Sequence, residues 1–331
     1  MSVLVFTESW QEGASGEGKF KKSTYETISY AVALAKMTGS TVTAVSIGNI
    51  SDAALKELGK YGAAKILKAS DPKLFSLSPQ AYASVIAEAA KKENAKIVIL
   101  SSTYTGKAIA GRIAVKLNAG LVSGATELPS SASPFTVRKK CYSGKGLTDV
   151  VIQTEIKIIA LTPNSYKVET GSGEAVLENF APALRDADLR TVAKETKKTS
   201  GKIALTEAEI VVSGGRGLKG AENWGMIETL ASELGAATAC SKPVADVGWR
   251  PHHEHVGQTG ITIGPDLYIA IGISGAIQHL AGVSSSKVIV VINMDPEAPF
   301  FKAADYGIVG DAFEVVPKLI EEVKKFKAGQ H

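Results

Sequence analysis

Val256-Gly257-Gln258-Thr259-Gly260, then Leu267-Tyr268-Ile269-Ala270-Ile271-Gly272-Ile273-Ser274-Gly275-Ala276-Ile277-Gln278-His279-Leu280-Ala281-Gly282, then Ile289-Val290-Val291-Ile292-Asn293: these segments decide the fold. An apolar strand runs into a turn of Gly272, Ser274 and Gly275. A helix follows from Ala276, and a second apolar strand ends in Asn293. An α/β sheet presents bare backbone N–H groups to a phosphate in this way. Gln278 and His279 sit one turn into the helix, where side chains reach past a phosphate toward the rest of a ligand.

Outward from this stretch the same strand–helix alternation recurs. Val3–Thr7, Thr41–Ile47, Lys65–Ala69, Lys96–Ser101 and Leu121–Gly124 read as strands. Between them lie helices: one opened by the capping-box pattern Ser23-Thr24-Tyr25-Glu26, then Ser51–Leu58, Pro79–Glu93 and Gly106–Leu117. Continuous apolar strands between amphipathic helices predict a parallel sheet covered on both faces. From Phe135 to Ala160 the helical period disappears. Val137–Cys141, Val150–Thr154 and Ile156–Leu161 read as strands with little room for crossovers, an antiparallel edge. The polar run Lys194-Glu195-Thr196-Lys197-Lys198-Thr199-Ser200 reads as a tether. Strand Ile210–Val212, helix Asn223–Leu234, strand Leu267–Ile271, strand Val288–Ile292 and a helix from Asp311 to Phe326 then repeat the scheme. The expectation is an α/β protein of two Rossmann-like domains. Residues 1–190 form the N-terminal α/β domain, mostly parallel with an antiparallel edge, 191–207 the linker, and 208–331 a doubly wound C-terminal domain.

Length and composition agree: 331 residues suit two domains, and 45% hydrophobic with 21% charged residues is ordinary for a globular chain. The net charge of +4 is small and its signs are interspersed, so nucleic acid is not implied. Only Cys141 and Cys240 occur, with no CxxC, so no structural zinc, iron–sulfur cluster or other metal is expected. No apolar run approaches the roughly 20 residues that span a bilayer, so no membrane insertion is expected. Val3–Phe6 reads as a strand because Glu8 follows at once. The chain reads as cytoplasmic, or as a mitochondrial-matrix protein only if a leader has been removed.

Several side chains could carry chemistry. Ser213-Gly214-Gly215-Arg216-Gly217 follows a strand. A fixed cation beside a Gly-rich turn suits a pyrophosphate, although a plain loop would look the same. Ser274 suits a helix N-cap and can face a phosphate as well. His279 fits either a satisfied buried histidine or a ligand contact. Asn293 ends a strand at its carboxyl end, where α/β sheets bind ligands. Asp311 with Glu314 is a capping-box pattern. His252, His253, Glu254 and His255 have no metal-site spacing and read as an exposed loop. Thr105-Gly106-Lys107 lacks the upstream glycine of a P-loop and reads as a helix start.

The stretch 256–293 resembles the C-terminal signature of the electron transfer flavoprotein alpha subunit, with Val291 where that family usually has alanine. The similarity spans the chain. It is specific from about residue 209 onward and looser before, where segments such as Ala125-Thr126-Glu127-Leu128 agree. The resemblance implies an FAD-binding C-terminal domain and a heterodimer with a beta subunit. It implies an electron carrier with no catalytic residues or substrate turnover of its own. Flavoprotein dehydrogenases such as acyl-CoA dehydrogenases would be its donors and a quinone oxidoreductase its acceptor. The apolar last helix, with no evident cover, agrees with an obligate partner.

The resemblance carries the cofactor contacts to Arg216, Ser241 and Lys242, to Val256, Gly257, Gln258 and Thr259, and to Ser274, Gly275, Ala276, Ile277, Gln278 and His279. Asn293, Asp311 and Ala312 complete the set, with Asp311 on the adenosine side. The Val256–Thr259 loop would line the flavin N5 and O4 edge, and His279, as an imidazolium, its N1–C2=O edge. Lys242 stands where the family has arginine, and Pro243 is expected to keep it extended. Gly275→Asp is expected to expel the cofactor with the fold retained. Two other readings stay open: an electron-bifurcating relative using NADH and ferredoxin, and an NAD-dependent enzyme on the same fold.

Overall fold

The computed structural model describes residues 2–11, 18–144, 146–191 and 204–329. They fall into two compact units, one within 1–141 and 146–198, the other within 142–145 and 199–331. Of the expected linker, residues 192–203 lie outside the described residues.

The first unit runs β1 (Ser2–Thr7), β2 (Ser9–Gln11), β3 (Gly18–Phe20), α1 (Lys22–Thr38), β4 (Thr41–Ile47), α2 (Asp52–Glu57), β5 (Lys65–Ala69), α3 (Pro79–Lys92). It continues β6 (Ala95–Ser101), α4 (Tyr104–Leu117), β7 (Gly120–Ala125), β8 (Ser131–Ala132), β9 (Phe135–Cys141), β10 (Gly146–Val151), β11 (Lys157–Leu161), β12 (Val176–Asn179). The sheet order is β10-β9-β7-β11-β6-β1-β4-β5-β12, with β8 on β9. From β7 to β12 every pairing is parallel, while β9 meets β7 and β10 antiparallel. One apolar cluster lies on each face, as a sheet covered by helices on both sides requires.

The expected antiparallel edge exists, but only two of its three strands belong to it. β11 inserts in parallel between β6 and β7. Its burial gives the reason: Ile158 to Leu161 are each 1% exposed or less, and an edge strand cannot bury both faces. The short connection before it signals a return to the sheet centre, not a further hairpin. The capping box at Ser23 is also absent. α1 starts two residues earlier than that pattern implies, with Lys21 at its N-cap and no side-chain cap. Glu26 instead accepts the backbone N–H of Asn164 at 3.0 Å and of Tyr166 at 2.7 Å. Burial raises its pKa, with those N–H bonds opposing.

The second unit runs β13 (Ile210–Gly214), α5 (Gly225–Leu234), β14 (Ala237–Cys240), α6 (Lys242–Asp246), β15 (Leu267–Ile271), α7 (Ile277–Val283), β16 (Val288–Asn293), β17 (Tyr306–Val309), α8 (Ala312–Ala328). The order is β14-β13-β15-β16-β17, all parallel. This is a doubly wound sheet whose direction of winding reverses beside β13. Crevices for ligands open at such a reversal, beyond the carboxyl ends of the strands. The apolar stripe of α8 does have a cover: Val316 is buried, and Val315, Leu319, Ile320 and Val323 pack on the cluster around Val212, Ile227 and Leu230. An uncovered last helix is therefore no argument for a partner.

Candidate functional site

Every segment leaving the carboxyl end of β13, β14, β15 or β16 contributes to one cleft of about 520 Å³, a size usual for small-molecule sites. Arg216 and Gly217 follow β13. Ser241, Lys242 and Pro243 follow β14, with His255 to Thr259 farther on. Gly272, Ile273, Ser274, Ala276, Gln278 and His279 follow β15, and Asn293 and Asp295 follow β16.

Backbone contacts hold these segments together. Gly215 N–H donates to Ile271 O at 2.9 Å and Gly217 N–H to Gly272 O at 3.0 Å. A Cβ on Gly217 would lie 2.7 Å from the Gly272 Cα, so only glycine lets the two turns cross. Gln258 N–H donates to Gln278 O at 2.7 Å and ties the loop after His255 to α7. Asn293 Nδ2 donates to Ile273 O at 3.0 Å, and its Oδ1 accepts Asp295 N–H at 3.1 Å. Asn293 is thus a turn residue that also lines the cleft.

Twelve of the sixteen sequence-predicted residues line the cleft; Gly275, Ile277, Asp311 and Ala312 do not. Asp311 caps α8 by accepting Phe313 N–H at 3.0 Å and lies 3.6 Å from Lys219 Nζ. Ser274 is not the cap of α7, whose N-cap is Ala276. The Ser274 carbonyl accepts Phe300 N–H at 3.0 Å, and its side chain stays exposed on the cleft. Gly275 has φ +83°, and a Cβ there would lie 2.6 Å from the Phe300 backbone. Gly275→Asp would therefore disturb the packing itself, so it is no fold-neutral test of a phosphate site. Lys242 opens α6 as its first residue; Pro243 fits a first helical turn and does not keep its neighbour extended.

The sequence reading missed His255. Its segment is not an exposed loop throughout. Glu254 is 4% exposed and gripped by Arg250 through two bonds of 2.7 Å, and His255 is 7% exposed. Burial lowers the His255 pKa, Asp246 opposes it, and Lys242 and His252 reinforce it. Gly217 and Gly272 were also missed, because their role is a contact between turns 55 residues apart in sequence.

His279 departs from the imidazolium expectation. Burial, reinforced by His255, pushes its pKa down to about 4, with the Val256 backbone opposing. Its Nε2 lies 2.7 Å from the Tyr268 hydroxyl, and its buried Nδ1 has no hydrogen-bond partner among the described residues. Because the folded pKa lies below the unfolded value of about 6.5, this group's stability contribution is complete above pH 6.5. It is lost as pH falls toward about 4. Urea midpoints measured at pH 7 and pH 5 should show stability falling by up to about 1.4 kcal/mol per pH unit from this residue. His279→Gln should flatten that slope; an unchanged slope would show that His279 is not the titrating group.

The cleft suits an anionic, partly aromatic ligand. Arg216 and Lys242 supply exposed cations, and the orphaned Nδ1 offers a partner for a ligand polar atom. Flavin adenine dinucleotide fits this donor set.

The Electron transfer flavoprotein domain model matches residues 11–185, and the Electron transfer flavoprotein FAD-binding domain model matches residues 204–284. The electron transfer flavoprotein subunit alpha of Bacillus subtilis is 40% identical over 95% of this chain and 96% of its own. That of Syntrophomonas wolfei is 38% identical over 93% and 96%, and that of Thermoanaerobacterium thermosaccharolyticum 36% over 97% and 99%. No helix among the described residues is long and apolar enough to cross a membrane.

Proposed function

This chain belongs to the electron transfer flavoprotein alpha subunit family, whose C-terminal domain binds FAD, and from that premise we propose its particular place in electron transfer. It is the FAD-holding half of a heterodimer with a beta subunit. It takes electrons from flavoprotein dehydrogenases, such as the acyl-CoA dehydrogenases of fatty-acid oxidation, and delivers them to a quinone oxidoreductase in the cytoplasm. It turns over no substrate of its own. Residues 1–190 and 208–331 are its two domains.

The observation that carries this reading is the convergence of four strand ends on one cleft with two cations, a pair of crossing glycines and a buried imidazole. FAD, when bound, supplies the one-electron chemistry. Arg216, with the bare backbone of Ser274, Gly275, Ala276 and Ile277, would hold the pyrophosphate. α7 has only seven residues, so its macrodipole adds little. Ser241, Lys242, the Val256–Thr259 loop, Gln278 and His279 would surround the flavin ring. Asn293, Asp311 and Ala312 would meet the rest of the nucleotide. The cleft walls keep water from the ring and sharpen every charge near it.

Co-expression with its beta subunit should yield one FAD per heterodimer by absorbance. An acyl-CoA dehydrogenase with its substrate should reduce it, and a quinone oxidoreductase should reoxidise it. A second FAD, or NADH consumption by the heterodimer alone, would overturn the reading. Lys242 provides a finer check, since its compact ammonium lacks the flat face of a guanidinium. Lys242→Ala should keep FAD and lower the first reduction potential, and Lys242→Arg should restore or exceed it. An unchanged potential in Lys242→Ala would remove residue 242 from the site.

A further inference from the structure

We propose that Tyr268 is a positioning residue that holds His279 as its neutral Nδ1–H tautomer, so that the imidazole serves the cleft as an uncharged hydrogen-bond donor. The inference deepens the proposed function and rests on it. Tyr268 lies on β15 with no exposure, and its hydroxyl is 2.7 Å from His279 Nε2. That bond can run in either direction, and the surroundings choose.

The phenol is buried and keeps its proton, and a buried O–H needs an acceptor. Ser213 Oγ makes no formed hydrogen bond among the described residues, so the phenol proton has His279 Nε2 as its acceptor. A neutral imidazole carries one proton on its two nitrogens. With Nε2 accepting from Tyr268, that proton sits on Nδ1. It is buried without a formed hydrogen bond, and a buried N–H left in that state costs about 1–3 kcal/mol. A ligand oxygen in the cleft would remove that cost.

The ring planes are held independently of the hydroxyl. Phe300 stacks on Tyr268 at 6.2 Å between centroids and meets His279 edge-on at 5.7 Å. Tyr268→Phe therefore removes the donor and keeps the packing. The charge of His279 need not change when a ligand oxygen gains electron density. A neutral N–H already points its dipole that way, at no cost in burying an imidazolium.

The test is nitrogen-15 NMR of the heterodimer carrying labelled histidine, with the His279 signals assigned by their loss in His279→Gln. At pH 7 the unmodified protein should show one neutral tautomer, Nδ1 protonated and Nε2 bare, with and without FAD. A protonated Nε2, or both nitrogens protonated, overturns the proposal. In Tyr268→Phe the single tautomer should give way to a mixture, and FAD affinity should fall about tenfold, the worth of one neutral hydrogen bond. A purely structural role would weaken affinity and leave the tautomer signals in place, and that result also overturns it. Failure of the unmodified heterodimer to bind FAD would instead refute the function from which this inference starts.

Discussion

Gly282→Ala is expected to strip FAD from the purified heterodimer, although residue 282 lies outside the cleft lining. Gly282 is the sixth residue of α7, and a Cβ there would sit 2.5 Å from both N and Cα of Gly257. Both partners are backbone, so no side chain can turn aside. The loop must lift from α7, and the Gln258 N–H bond to Gln278 O at 2.7 Å lifts with it. Val256, Gln258 and Thr259 then leave the cleft wall. Overpacking of this kind costs about 1–3 kcal/mol, and most of the consequence should fall on the cofactor. The measurement is FAD per heterodimer beside a thermal midpoint. Gly225→Ala is the control, because a Cβ at Gly225 meets open space. Full FAD occupancy in Gly282→Ala would break the link between this contact and the cleft.

That contact also marks how far the sequence could be read. Gly257 and Gly282 each stand in segments whose local pattern, turn and helix, is plain. Nothing in either segment says that the two backbones touch. The same holds for Gly217 against Gly272 and for His255 against the loop it precedes. Strands with four or more apolar residues, such as β1, β4, β15 and β16, announce themselves through burial on both faces. β12, β14 and β17 are four residues each, too short to show a period, and β17 is exposed along its length. β11 was legible as a strand, but its place was not. Which neighbours a strand takes is decided by the sheet it enters. The turns that line the cleft were legible because tight turns at strand ends need particular residues. The charge of His279 was not, since it depends on burial by residues far along the chain.

Arg250→Ala should lower the stability of the second unit by about 3–5 kcal/mol, the usual cost of breaking a buried ion pair from one side. Glu254 is 4% exposed and accepts from Arg250 Nε and from its second terminal nitrogen at 2.7 Å each. The guanidinium also lies 5.2 Å from the Trp224 ring centre and 3.1 Å from a Glu228 oxygen. Without it, a carboxylate stays buried beside Cys240, whose thiol is pushed up to about 12, first by burial and then by Glu254. Replacing both partners, Arg250→Met with Glu254→Leu, should recover much of the loss, because no charge is then left unpaired. Urea unfolding of the three proteins decides it. A loss below about 1 kcal/mol in Arg250→Ala would mean that the pair behaves as a surface bridge.

The position of β11 governs the order in which the first unit can be made. Synthesis delivers β6 and β7 well before residues 157–161, yet these two strands never pair with each other; each pairs with β11. Until Leu161 has emerged, a growing chain therefore holds two half-sheets, each with a bare edge of unmatched N–H and C=O groups. Such edges recruit other chains, the more readily when the strands are apolar. The insertion that makes the finished sheet continuous is also the step before which a nascent chain most needs protection, and a message truncated upstream of Lys157 would yield a product that can never close it.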